Sequence, residues 1–537
     1  MKENKLRNKN DLNYPEWWRN GIIYQIYPRS FKDSTGNGIG DIQGIIERLD
    51  YLKKLDIDAI WLSPHYPSPM VDFGYDISNY IDVDPLFGNL DDFDELVNQA
   101  HKRKIRIIVD FVANHSSDQH EWFKESKSSK TNPKRDWYYW HDSKNGEPPN
   151  NWLCVTGGSA WGYDEITKQC YLHTFHSCQP DLNWANPEVR DAMCNVLRFW
   201  LDRGVDGFRI DMISWMSKDP KFRDDPINPN FNPKIDYYYH KHLHKFSRDG
   251  PQLYEYLELI SMVLDEYEGN QVLIGEIDYY LNLEEFVEYF NHGIHLPAFF
   301  RLIYLPWNRE SIQTDIDQFL INNPPYANFQ IGNHDQSRVA SRLGYAQARV
   351  AAMLLLTLPG TPFIYYGEEI GMKNVPIKTD EMQDPWEKTE PGKGRDPERT
   401  PMQWTSKKHA GFTEGKPWLP VSENYSELNV QQQLENPQSF LNLYRSLIRI
   451  RKNNETLTLG NYKSFKTTAS QCLSYLRYKA SEEWIVLLNM SDKPIKIEHN
   501  ELDKTHVILS TFLDRKDELI NLYIELRGNE GCLIKKD

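Results

Sequence analysis

Gly207-Phe208-Arg209-Ile210-Asp211 closes one short apolar run of this chain, and Val272-Leu273-Ile274-Gly275-Glu276 closes another. The runs ending in Asp110-Phe111-Val112-Ala113-Asn114-His115 and in Asn333-His334-Asp335 finish the same way. Short apolar segments of this kind read as β-strands. A parallel (β/α)₈ barrel presents its chemistry at the C-terminal ends of its strands, so runs that terminate in carboxylate, histidine or arginine predict that architecture. One such carboxylate alone reads equally well as a cap on the following helix. Several arriving at one mouth predict acid/base and nucleophile work.

Further strand-like runs lie at Ile22 to Tyr27, Ala59 to Leu62, Ala327 to Gly332 and Phe363 to Tyr366, and a short one, interrupted by Pro297, at His295 to Phe300. Amphipathic helical stretches such as Ile42 to Leu55 and Leu90 to Lys102 separate most of them, which is the β/α alternation of a parallel sheet. The expected fold class is therefore α/β, a (β/α)₈ TIM barrel formed by residues 1–115 and 186–455. Residues 116–185 lack the barrel period and are rich in Trp, Gly, Pro and Lys, as an inserted subdomain on the catalytic face would be. Residues 373–433 form a long irregular loop region after the eighth strand. A helix around Ser439 to Lys452 then leads into alternating runs such as Cys472 to Tyr478 and Glu483 to Asn489, so residues 456–537 are expected to be an all-β C-terminal domain.

The 537-residue chain carries a net charge of -15, which disfavours nucleic acid and anionic membrane surfaces as partners and favours an uncharged substrate. Met1 to Asn13 is polar, with no apolar signal core, and no run reaches the roughly 18 apolar residues of a membrane span. A cytoplasmic protein is expected. Its 6 cysteines show no C-x-x-C pair and are expected to be free thiols. The 16 Trp, 31 Tyr and 23 Phe suit flat contact with sugar rings, although most, Trp17 and Trp18 among them, must fill core.

The ordered motifs Asp110 to His115, Gly207 to Asp211, Gly275-Glu276 and Asn333 to Asp335, with Gln179-Pro180-Asp181-Leu182-Asn183-Trp184, resemble those of the α-amylase family of retaining glycoside hydrolases (glycoside hydrolase family 13) over essentially the whole chain. Tyr24 to Phe31 and Arg399-Thr400-Pro401-Met402-Gln403-Trp404 resemble the bacterial α-glucosidases and oligo-1,6-glucosidases within it. The resemblance implies Asp211 as nucleophile, Glu276 as acid/base and Asp335 as the third acid that grips sugar hydroxyls. Arg209, on the same side of its strand as Asp211, is expected to keep that carboxylate ionised and so to separate the two pKa values. His115 and His334 are implied as donors to the same ring. Asp72 and Tyr75 match the positions of an acid that clamps the non-reducing-end hydroxyl and a tyrosine that stacks on the terminal glucose; Arg399 is expected to be the acid's partner, with Arg395 as the competitor. Phe175 and Asp181 are further wall and subsite candidates. A clamp of this kind implies exo-action on short α-glucosides.

Asp33-Ser34-Thr35-Gly36-Asn37-Gly38-Ile39-Gly40-Asp41 places oxygens at alternate positions around a glycine-rich bend, as a calcium loop does. Asp33, Thr35, Asn37, Ile39 through its carbonyl, and Asp41 are the expected ligands of a structural Ca²⁺ or Mg²⁺, and a polar turn without an ion is the alternative. Thr35 stands where relatives often carry Asp or Asn. Met212 follows the nucleophile at a position where the resemblance places Val in relatives preferring α-1,6 bonds and Ala or Thr in those preferring α-1,4 bonds. Two rivals to a hydrolytic α-glucosidase remain: a transglucosylase or sucrose isomerase of the same family, and a non-catalytic member such as an ancillary heavy chain of an amino-acid transporter. The latter carries a membrane span and generally lacks the carboxylates present here.

Overall fold

The computed structural model describes residues 16–536 except 144–145, 235, 278–282, 299 and 322–326. The reading of Met1 to Asn13, and Phe299 within the sixth strand-like run, lie outside the described residues. Eight parallel strands form one nearly closed sheet: β1 (Ile23–Ile26), β2 (Ala59–Leu62), β3 (Arg106–Phe111), β4 (Gly207–Ile210), β5 (Val272–Gly275), β6 (Leu296–Pro297), β7 (Asn328–Gln330) and β8 (Thr361–Tyr365), in the order β7-β8-β1-β2-β3-β4-β5-β6. At the seam a side chain makes the link, because Asn328 Nδ2 donates to the Pro297 carbonyl.

Strand alternation divides the apolar side chains into two sets. Ile23, Ala59, Trp61, Ile108, Ile274, Leu296 and Phe363 pack inside the barrel with Trp18. Tyr24, Ile60, Ile107, Phe208, Leu273 and Ile364 belong to the larger core under the helices. Moving towards the C-terminal ends, the inward positions turn polar, with Gln25, Asp110, Arg209 and Gln330 all buried. Asp110 is the register partner of Arg209 across β3 and β4, so the two side chains meet because the sheet sets them side by side.

The helix expected over Ile42 to Leu55 is two, Ile42–Glu47 and Leu49–Leu55, broken at Arg48. Leu90–Lys102 is a single helix, opened by a capping box between Asn89 and Asp92. Between β3 and β4 stands a small antiparallel sheet of Trp140–Asp142, Gln169–Leu172 and Trp161–Asp164. After the helix Phe440–Lys452 the chain forms an antiparallel sheet of six strands and another of two. Arg451, in that helix, and Arg477, in the strand Cys472–Lys479, both fully buried, donate to carbonyls at and just beyond the end of the helix Val339–Thr357, where cations complement the helix dipole, and Arg477 so binds this β region to the barrel.

Candidate active site

The strand ends bring Asp211, Glu276 and Asp335 to one mouth. Asp211 follows β4 and Glu276 follows β5, and the backbones interlock there: Glu276 N–H donates to Ile210 O at 3.0 Å and Ile213 N–H to Glu276 O at 3.1 Å. Met212, between them, adopts a left-handed conformation with φ 40°, and its N–H donates to Glu276 Oε2 at 3.2 Å. A non-glycine residue in that region is strained, and here the strain aims a backbone donor at the carboxyl.

Arg209 departs from its expected part. Its Nη1 lies 2.5 Å from Asp110 Oδ1 and 2.7 Å from Asp211 Oδ1, and its Nη2 bonds Glu276 Oε2. One guanidinium therefore serves three buried carboxyls instead of singling out Asp211. Trp61 Nε1–H donates to the other Asp110 oxygen at 2.8 Å. Burial raises the Asp110 carboxyl to about 6 despite Arg209. Asp211 and Glu276 bond the same guanidinium, and burial, set against Arg209 but reinforced by Asp335, raises both above the ordinary carboxylate range. Carboxyls placed this way titrate together.

Asp335 is the opposite case. Burial works against its ionisation, but the Arg399 and Arg395 guanidiniums, charged while His334 is neutral, outweigh it and hold the carboxyl well below the usual range. Arg399 Nη2 lies 2.7 Å and Arg395 Nη1 3.2 Å from Asp335 Oδ1. Asp335 is also the most open of the three acids, with 27% of its side chain exposed against 8% for Asp211, which marks the direction of entry.

The partner of Asp72 is Arg395, not Arg399. Arg395 Nη2 contacts Asp72 Oδ1 at 2.7 Å, while Arg399, fully buried, reaches Asp335, the His334 carbonyl and Tyr27. Arg395 is itself fixed by Asp384, through Nε at 2.7 Å and Nη2 at 3.1 Å. Asp384 escaped the sequence reading because it lies among many charges in an irregular loop. Gln179 Nε2 donates to the other Asp72 oxygen at 3.1 Å and faces His115 Nε2 at 3.1 Å. Tyr75 stacks on His334, with rings 5.5 Å apart, and its hydroxyl meets His334 Nε2 at 2.9 Å. Burial lowers His334 to about 3 and His115 to about 4, so both are neutral hydrogen-bonding groups at pH 7. Phe175 packs against His115 and Trp215, with ring centres 5.0 and 6.0 Å away. Asp181 is fully buried and paired with Lys218 at 2.8 Å.

The glycine-rich loop does not form a cage. Asp33 accepts from the N–H groups of Thr35, Gly36 and Gly38 and from the Thr35 and Thr413 hydroxyls. Asp41 accepts from Ser34 and from Gly44 N–H, and Asn37 Oδ1 turns back onto Ile39 N–H. These oxygens accept from protein donors, and among the described residues no group of three or more His, Cys, Asp or Glu is placed to hold a metal ion.

Residues 25–460 match the family model for the alpha amylase catalytic domain. The chain is 41% identical over 529 residues to a probable alpha-glucosidase of Rhizobium meliloti, covering 94% of this chain and 95% of the relative. It is 40% identical over 520 residues to an oligo-1,6-glucosidase of Parageobacillus thermoglucosidasius, covering 89% and 91%. Among solved structures it resembles an alpha-glucosyl transfer enzyme, with a TM-score of 0.91 at 37% identity over 97% of this chain and 99% of the other. It also resembles a trehalulose synthase from Pseudomonas mesoacidophila, with a TM-score of 0.87 at 37% identity over 97% and 99%. The chain belongs to the alpha-amylase family of glycoside hydrolases.

Proposed function

We propose that this member of the alpha-amylase family is a retaining, exo-acting α-glucosidase that releases glucose from the non-reducing ends of short α-glucosides. The observation that carries the reading is the close Asp211–Glu276 pair on one guanidinium. An inverting pair stands roughly 6.5–9.5 Å apart to admit a water, whereas the two terminal nitrogens of one guanidinium hold both of these carboxyls. Asp211, held at Oδ1 by Arg209, attacks the anomeric carbon through its other oxygen. The bond to the aglycone breaks, and the proton carried by Glu276 goes to the leaving oxygen. Glu276 then takes a proton from water, whose oxygen displaces Asp211 on the same face. Asp335 and Asp72, kept ionised by Arg395 and Arg399, accept hydrogen bonds from hydroxyls of the bound sugar and close the pocket beyond it. A panel of maltose, isomaltose, sucrose, trehalose and nitrophenyl glucoside, followed by NMR, should show α-glucose as the first product; β-glucose, or internal cleavage of starch, would overturn the reading. The likeness to a glucosyl transfer enzyme and a trehalulose synthase favours transglucosylation as the second reading, which would appear as new glucosides at high substrate concentration.

Linkage preference is assigned to Met212, half-buried beside the pair. Met212→Thr should raise the α-1,4 to α-1,6 rate ratio and Met212→Val should lower it, each by about 1–2 kcal/mol of transition-state discrimination. Both β-branched residues are strained at φ 40°, so the ratio on one variant is the proper readout, since a loss of folded enzyme cancels in it. Ratios within about twofold of the parent would move the selector to another wall.

The loop at Asp33 to Asp41 is proposed to stand on its own hydrogen bonds. EDTA, or excess Ca²⁺ or Mg²⁺, should then shift Tm by less than about 1 °C, because an ion that does not bind the native state cannot stabilise it. A rise of several degrees with either ion would show that the five oxygens rearrange around it. The enzyme is proposed to work in the cytoplasm, a compartment that suits its free cysteines, Cys178 half-buried and the others buried. Among the described residues no helix is long and apolar enough to cross a membrane.

A further inference from the structure

The end of the barrel opposite the carboxylates carries a different kind of surface. Two adjoining depressions, of about 390 and 520 Å³, share Lys53 at their border. The first lies between the end of the helix Leu49–Leu55 and the helix Phe440–Lys452, and Lys53, Lys54, Arg445 and Arg449 line it. Lys104 lines the second. None of these five cations forms an ion pair among the described residues. Lys54 acts on Asp50 only at a distance, and that carboxylate is bound by Arg103 at 2.7 Å. The acids at the rim are engaged elsewhere. Lys452 takes Asp56 and Asp58 at 3.1 and 2.9 Å, and His101 takes Asp206 at 2.7 Å.

In a chain of net charge -15, a concave surface with five cations outside any ion pair runs against the overall balance. Like charges gathered on one concave face repel one another and create a positive potential that an anion relieves. Arg445 and Arg449 stand four residues apart on one helix, which brings two guanidinium forks to one face, and Arg445 is steadied there by Nη1 donating to Asn442 Oδ1 at 3.0 Å. Forks in that arrangement suit tetrahedral oxyanions held bidentately, with Lys53 and Lys54 as point charges opposite. We propose that this hollow is a binding site for a small molecule bearing two linked phosphate groups. It lies on the N-terminal face, separated from the catalytic mouth by strands of four to six residues, or roughly 13–20 Å, and it does not depend on the glucosidase reading.

The test uses the full chain and inorganic pyrophosphate. Calorimetric titration in 50 mM NaCl should show saturable 1:1 binding, with a thermal shift that NaCl of matched ionic strength does not reproduce. The double variant Lys53→Glu, Arg449→Glu should weaken pyrophosphate binding at least tenfold while leaving kcat/KM on nitrophenyl glucoside within twofold and the parental Tm within a few degrees. Substitution of Lys53 and Arg449 by Gln is the milder check on folding and should weaken binding in the same direction. Orthophosphate at equal charge should bind more weakly, and citrate tests whether carboxylates serve as well. Equal shifts with pyrophosphate and matched NaCl would reduce the hollow to a solvated basic face. Unchanged pyrophosphate affinity in both variants would place any binding elsewhere. Either result overturns the proposal.

Discussion

Asp211→Asn is expected to lower kcat on maltose by at least about 10⁴-fold while leaving the fold intact, because it exchanges the carboxylate that forms the glycosyl ester for a neutral, weakly nucleophilic amide. The neighbouring change Glu276→Gln separates the two roles. On maltose it should cost about 10²–10⁴-fold, the range of a positioned general acid, since the leaving sugar oxygen needs its proton. On nitrophenyl glucoside the first step needs no proton, so the loss should be smaller and a burst of nitrophenol should precede slow deglycosylation. The pH profile offers a third view. The pair titrates above the ordinary carboxylate range partly through Asp335, so Asp335→Asn, which removes a negative charge, should move the basic limb of kcat/KM to lower pH. If Asp211→Asn kept more than about 1% of the parental rate, or if Glu276→Gln lost equally on both substrates, the assignment of nucleophile and acid would have to be abandoned.

Local signals carried much of this architecture. Strand periodicity and the residues at strand ends marked the barrel, including the short sixth strand, since both depend on neighbours within a few positions. Asp211, Glu276 and Asp335 were legible for the same reason. What escaped was set by distance in the chain. Asp110 and Arg209 lie in separate runs, and only their register across β3 and β4 shows that Arg209 is shared among three acids. Asp181 sits in a motif that suggests a subsite, yet its partner Lys218 comes from beyond β4 and seals it inside. In the glycine-rich loop the spacing of oxygens was visible, but whether they point at a common centre or at N–H groups depends on backbone turns such as Gly36 and Gly38, with φ 79° and 93°. Arg48 likewise divides a helix whose apolar period continues through it.

The correction from Arg399 to Arg395 has the sharpest consequence, because both arginines touch Asp335 and single substitutions of either should be harmful. Arg395→Met leaves Asp72 and Asp384 buried without their arginine and Asp335 with Arg399 alone. Removing one partner of a buried pair costs about 3–5 kcal/mol of fold stability, so Tm should fall, and kcat/KM on maltose should fall as well because Asp72 loses the group that orients it toward the sugar. Arg395→Lys should recover only part of this, since a single ammonium cannot reach along the line from Asp384 to both Asp72 and Asp335 as the fork does. A double-mutant cycle then decides which arginine forms the clamp. Asp72→Ala with Arg395→Met should show a coupling of about 1–3 kcal/mol in transition-state free energy, because the second change finds its partner already removed. Asp72→Ala with Arg399→Met should be additive within about 0.5 kcal/mol, since Arg399 acts on Asp335 and the His334 carbonyl. The reverse pattern would restore Arg399 as the partner of Asp72. Additivity in both cycles would mean that Asp72 binds the sugar without help from either guanidinium, and the pocket would then owe its closure to Gln179 and the loop around Phe73 and Gly74.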